Sequence, residues 1–98
     1  MPEEVKERRS VRVRLEGHVQ GVGFRYWTEQ VAGNLGLDGW VRNRRDGGVE
    51  AVFSGRPEDV AQMLERCRQG PASARVDFVK VEEEMQLPPP GFDVKATV

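Results

Sequence analysis

Cysteine and histidine are nearly absent. The 98-residue chain has one of each, Cys67 and His18. A single cysteine excludes an internal disulfide and a Cys-rich metal cluster, and one histidine beside it leaves too few ligands for a zinc centre. Neither sign of charge dominates: 15 Lys and Arg stand against 16 Asp and Glu, a net charge of −1. That balance speaks against a protein that grips nucleic acid through bulk charge, and no nucleic-acid partner is expected. No apolar stretch approaches the roughly 20 residues of a membrane-spanning helix, so no membrane partner is expected either. The opening MPEEVKERRS is charged and lacks the apolar core of an export signal. A cytoplasmic protein is expected, with residues 1–9 as a flexible extension.

The rest of the composition fits one small globular domain with a single core, at 38% apolar and 32% charged residues. From Val11 the chain alternates Val11, Val13, Leu15 with Arg12, Arg14, Glu16, the period of a strand with one buried face. FRYWTEQVAGNLG then spaces Phe24, Trp27/Thr28, Val31 and Leu35 helically, and Gly36 is a natural stop. LDGWVRN is a short strand, RRDGG a hairpin turn, and VEAVFS the return strand with Val49, Ala51 and Phe53 on one face. A second helix is sharply punctuated. Pro57 suits its first position, Glu58 and Asp59 its positive end, Val60, Met63, Leu64 and Cys67 form its apolar stripe, and Gly70-Pro71 ends it. ARVDFVKVEEE is a long strand whose alternation slips between Phe78 and Val79, which predicts a bulge or burial on both sides. After the proline-stiffened MQLPPPG, FDVKATV can add a short fifth strand at an edge.

The order βαββαβ predicts an α+β, ferredoxin-like split βαβ sandwich, two helices covering one face of a four-stranded antiparallel sheet. Its first two long strands run the same way, with the hairpin strand between them. The segment leaving the first strand therefore emerges at the same edge as Asn43, the end of the second.

That segment is GHVQGVGFR, Gly17 to Arg25, with three glycines in seven positions. A loop running from a strand into a helix start presents free backbone N–H groups and the positive end of the helix dipole, a ready anion site. Glycines let successive N–H groups converge on one oxygen cluster. The dipole alone contributes about 0.3–1 kcal/mol at an exposed site, so phosphate capture needs more, and the planar fork of Arg25 supplies it. The bland alternative is a tight turn followed by a solvated arginine, and spacing does not choose between them. The familiar phosphate fingerprints do not fit: no Gly-Lys-Ser/Thr ends the loop, and Gly21-x-Gly23 has no third glycine at the dinucleotide-binding position.

Together with GWVRNRRDGGVE and the ARVDFVKVEEE strand, the chain closely resembles acylphosphatases, small enzymes that hydrolyse the carboxyl-phosphate bond of acyl phosphates. The resemblance runs from about Val11 to Val94, within an acylphosphatase-like domain spanning 10–98, and its Val-Gln-Gly-Val-x-Phe-Arg core is highly specific. It implies that the backbone N–H groups of Val19, Gln20, Gly21, Val22, Gly23 and Phe24 cradle the phosphate while Arg25 binds its oxygens. Asn43 orients the attacking water. By the same resemblance Arg25 and Asn43 are the catalytic pair, and no metal or cofactor takes part. The expected partner is a small acyl phosphate, with inorganic phosphate and other small anions expected at the same site, and a monomer is expected. Similar domains also head large carbamoyl-transfer proteins, but the length of this chain favours a free-standing enzyme.

Other candidates have plainer explanations. His18 borders the loop as a strand-end surface residue, Cys67 belongs to the core stripe, and Trp27 and Trp40 suit packing better than stacking. Tyr26 borders the loop without an assigned task. Arg42, Arg44 and Arg45 around Asn43 are expected as a solvated turn that can add positive potential. Ser54 suits a turn or cap, since no His-Asp partners exist to make it a nucleophile. RNA-recognition domains share this fold, but the aromatic platform they carry on the central strands is missing, where Arg12, Arg14, Glu16, Glu50, Val52 and Ser54 stand instead. A metal carrier of the same fold needs a cysteine pair.

Overall fold

The computed structural model of the chain describes residues 7–98. The elements follow in the order β1 (Arg9–His18), α1 (Phe24–Asn34), β2 (Asp38–Asn43), β3 (Val49–Gly55), α2 (Pro57–Gln69), β4 (Arg75–Glu83) and β5 (Phe92–Val94). Residues 1–6 of the expected extension lie outside the described residues. Arg8 and Arg9 are tied in: Arg8 pairs with Asp38 and donates to Ser54 Oγ at 2.9 Å, and Arg9 opens β1 opposite Gly55.

One sheet has the order β4-β1-β3-β2-β5. The first four strands are antiparallel neighbours, and β5 runs parallel to β2 through Gly39–Phe92, Trp40–Asp93 and Val41–Val94. This is the expected split βαβ sandwich with its fifth strand, and the edge strand makes the sheet mixed. Beyond β5 the chain keeps bonding along β2: Lys95 N donates to Val41 O at 2.8 Å, Val98 N to Asn43 O at 3.2 Å, and Arg45 N to Val98 O at 2.8 Å.

Both helices pack on one face. Val11, Val13 and Leu15 of β1, Val41 of β2, and Val49, Ala51 and Phe53 of β3 meet Phe24, Val31 and Ala32 of α1 and Val60, Met63, Leu64 and Cys67 of α2. Full burial of each large side chain contributes about 1.5–3 kcal/mol, and neither helix start has a side-chain cap to add to it. The apolar stripes therefore decide where the helices sit. Among the described residues no helix is long and apolar enough to cross a membrane.

The expected slip in β4 is a bulge, displaced by one residue. Pairing passes from Glu16–Phe78 to Gly17–Val76, so Asp77 is the extra residue. Phe78 is exposed rather than inward, whereas Val76, Val79 and Val81 lean on the core. Gly17 sits at this irregularity because a Cβ there would come within 2.3 Å of Arg75 O and 2.8 Å of Asp77 N. One glycine of GHVQGVGFR thus serves strand packing.

The outer face of β3 is closed by charge. Glu50, only 8% exposed, accepts from Arg12 at 2.6 Å, Arg42 at 2.9 Å and Arg44 at 3.1 Å. Burial tends to raise the Glu50 carboxyl, but hydrogen bonds from Arg12 and Arg42, with Arg44 behind them, outweigh it and hold the group below the ordinary range. Trp40 lies in the row Arg12–Val52–Trp40 with the cations of Arg42, Lys95 and Arg12 at 4.6, 4.8 and 5.3 Å from its ring centre. Arg42 and Arg44 are therefore not a solvated turn, because strand register carries them onto a buried carboxylate. Ser54 is neither turn nor cap: it is fully buried in β3, 2.6 Å from Ser10 Oγ.

Candidate active site

Val19, Val22 and Phe24 are the anchors of the segment between β1 and α1. Val19 and Phe24 are buried in the core and Val22 packs against it. Between these anchors Gly21 and Gly23 are exposed, with φ of 74° and 76°. A Cβ on either would meet nothing within 4 Å. Their requirement is the left-handed backbone, which only glycine adopts without strain, and the open space beside it leaves that backbone accessible.

Gly23, at φ 76° and ψ 19°, is the N-cap of α1 and supplies no side-chain cap. Its carbonyl accepts from Trp27 N at 3.0 Å, which begins the helix. The first turn of α1 contains no acidic residue. Its second residue is Arg25, half-buried and without a salt bridge among the described residues. The exposed glycines and the positive end of the α1 dipole thus stand beside a cation, a combination suited to an anion.

Asn43 ends β2 opposite Val49 of β3 and is half-buried. It shares its side of the strand with buried Val41, whereas Trp40 and Arg42 belong to the outer face, so Asn43 stands on the face that the helices cover. Its backbone is held from both sides, by β3 and by Val98. Leu15 pairs with the same Val49, three residues before β1 ends at His18. The loop and Asn43 therefore share one end of the sheet.

A direct link joins them. The side-chain amide of Gln20 donates to Arg44 O at 2.7 Å and to Gly48 O at 2.8 Å, in the turn that follows Asn43. The sequence gives this side chain no visible task because both of its acceptors are backbone carbonyls, which leave no mark in residue identity. Val19, Gln20, Gly21, Val22, Gly23, Phe24 and Arg25 thus form one stretch around the start of α1, with Asn43 across the clamp.

The remaining candidates stand apart. His18 is exposed at the end of β1 opposite Arg75. Tyr26 is 67% exposed in the first turn of α1. Trp27 packs against Phe24 in a tilted pair, 5.3 Å between ring centres and 60° between ring planes. Cys67 is buried in the core, and burial pushes its thiol up to about 12, so it is inert as a nucleophile.

The family model described as acylphosphatase matches residues 11–94. An acylphosphatase of Rhizorhabdus wittichii is 51% identical over 87 residues, covering 89% of this chain and 88% of that protein. One of Bradyrhizobium diazoefficiens is 51% identical over 94 residues, covering 90% and 95%. The solved structure of an acylphosphatase from Coxiella burnetii superposes with a TM-score of 0.89 at 34% identity, covering 97% of this chain and all of that one.

Proposed function

The chain belongs to the acylphosphatase family and hydrolyses acyl phosphates, and from that premise we propose how its loop and strand end divide the work. The phosphoryl group sits over residues 19–24, its oxygens taken by the backbone N–H groups of Val19 to Phe24 and by the guanidinium of Arg25. Asn43 holds a water in line with the bond to the leaving carboxylate. The water oxygen bonds to phosphorus as the bond from phosphorus to the carboxylate oxygen breaks. The water's proton passes to a phosphoryl oxygen, and the products are a carboxylate and inorganic phosphate.

An acyl phosphate carries a good leaving group, so neither a strong base nor a covalent nucleophile is required. Positioning and charge stabilisation suffice. The observation that carries this reading is an uncapped helix start with no acid in its first turn, entered through exposed left-handed glycines and bearing Arg25. Released phosphate and similar small anions compete for the same cradle.

Benzoyl phosphate hydrolysis by the purified protein, with no metal added, tests the division of labour. Asn43→Ala is expected to lower kcat by about 10²–10³-fold, the usual loss for one preorganised polar group. The inhibition constant of inorganic phosphate should stay within about threefold of the parent's. If phosphate binding collapsed together with kcat, Asn43 would be part of the cradle and not the holder of the water.

A further inference from the structure

We infer that Gln20 is a positioning residue whose side-chain amide fixes the distance between the phosphate cradle and Asn43. The inference rests on the roles proposed above and adds the part that keeps the two halves in register.

Both N–H groups of the Gln20 amide are used, at 2.7 Å on Arg44 O and 2.8 Å on Gly48 O. Arg44 directly follows Asn43, and Gly48 directly precedes Val49, the cross-strand partner of Asn43. The two acceptors therefore bracket the Asn43–Val49 pair. Each already takes a backbone bond of the turn, Arg44 O from Gly47 N at 3.0 Å and Gly48 O from Arg44 N at 2.8 Å. The amide fills the second acceptor site of both carbonyls, which a carbonyl's two lone pairs allow.

The other anchors of the loop are apolar. Val19, Val22 and Phe24 tie it to the core, and apolar contact is non-directional. Of these side chains, Gln20 is the one that bonds directionally to the turn after Asn43. In-line attack is sensitive to such placement, since a shift of about 1 Å in a positioned group can cost on the order of 100-fold in rate.

Three variants test this on benzoyl phosphate, with rates referred to folded enzyme by circular dichroism. Gln20→Met keeps the length and stem but cannot donate; it should lower kcat at least about tenfold and leave phosphate inhibition within about threefold. In the Asn43→Ala background the same change should cost less than about twofold, because a clamp that acts through Asn43 has nothing left to position. Gln20→Glu sets a carboxylate against two carbonyls and should be as slow at neutral pH. Its rate relative to the parent should recover as pH falls toward the ordinary Glu value of about 4.3, where the protonated acid regains one donor. A loss of fold would not restore itself with acid. Parent-like kcat in both Gln20→Met and Gln20→Glu would overturn the inference, and so would losses that multiply in the double variant. If Asn43→Ala were itself as fast as the parent, the water-holding role would fail first. A slow Asn43→Ala beside a fast Gln20→Met would remove only the clamp.

Discussion

The two helices begin in opposite electrostatic settings. α2 opens with Pro57 and places Glu58 and Asp59 in its first turn, so the chain itself supplies negative charge where the dipole is positive. Its end is balanced as well, with Arg66 and Arg68 in the last turn. α1 opens through Gly23, has no acid in its first turn, and adds Arg25 to the end that is already positive. Neither start has a side-chain cap, so capping does not separate them. Charge does. A cation at a helix N-terminus is unfavourable by about 0.3–1 kcal/mol, a local conflict of the kind that marks functional positions. On the proposed reading a phosphoryl group would resolve it: α2 is complete as folded, and α1 would be completed by its ligand.

Removing Arg25 should have the largest effect and should separate function from stability. Arg25→Ala is expected to lower kcat/KM on benzoyl phosphate by at least about 10²–10³-fold and, unlike Asn43→Ala, to weaken phosphate inhibition as well. The melting temperature should not fall, because the change removes an unfavourable charge and installs a strong helix former. A marked drop in melting temperature would make Arg25 a structural residue and erase the contrast with α2.

That contrast is legible in the sequence, because first-turn residues are read directly from Gly-Phe-Arg-Tyr and Pro-Glu-Asp. The element order was legible for a related reason: alternation in β1 and the apolar stripe of α2 are periods within one segment. What escaped depends on two segments at once. In the sequence the alternation of β4 slips between Phe78 and Val79, which leaves a bulge and burial on both sides equally open. Pairing with β1 puts the extra residue at Asp77 and turns Phe78 outward. Arg42 and Arg44 read as a solvated turn because their partner Glu50 lies across a hairpin, and Arg12 joins them only through the β1–β3 register. The Gln20 clamp was invisible for a third reason, since its acceptors are main-chain atoms 24 and 28 residues away.

Making α1 resemble α2 should weaken the site by a middling amount. Tyr26 is exposed in the first turn of α1, so Tyr26→Glu adds an acid there without disturbing the core. The inhibition constant of phosphate and the KM for benzoyl phosphate should each rise about two- to fivefold, with kcat changed less. Added salt should shrink the difference, because an exposed charge at this distance is screened. A rise that ignored salt would point to displaced backbone rather than charge. No rise at all would mean that the absence of acid in this turn is incidental.

The reverse change in α2 should be the smallest and should not reach the site. Glu58→Gln is expected to leave kcat and KM unaltered and to lower the melting temperature at pH 7 by only about one to three degrees. Its pH dependence identifies the cause. The Glu58 carboxyl is held below the ordinary range first by its own backbone N–H and then by Arg56, whose guanidinium donates to it at 2.6 Å. A carboxyl lowered in the folded state stabilises above its unfolded pKa of about 4.3. That contribution disappears as pH falls through the lowered value. Glutamine does not titrate, so the melting temperatures of parent and variant should converge as pH falls through that lowered value. A deficit that persisted after the pH-dependent part had been lost would belong to the shape of the side chain. The two helix starts would then differ in packing rather than in the charge that leaves one of them open to an anion.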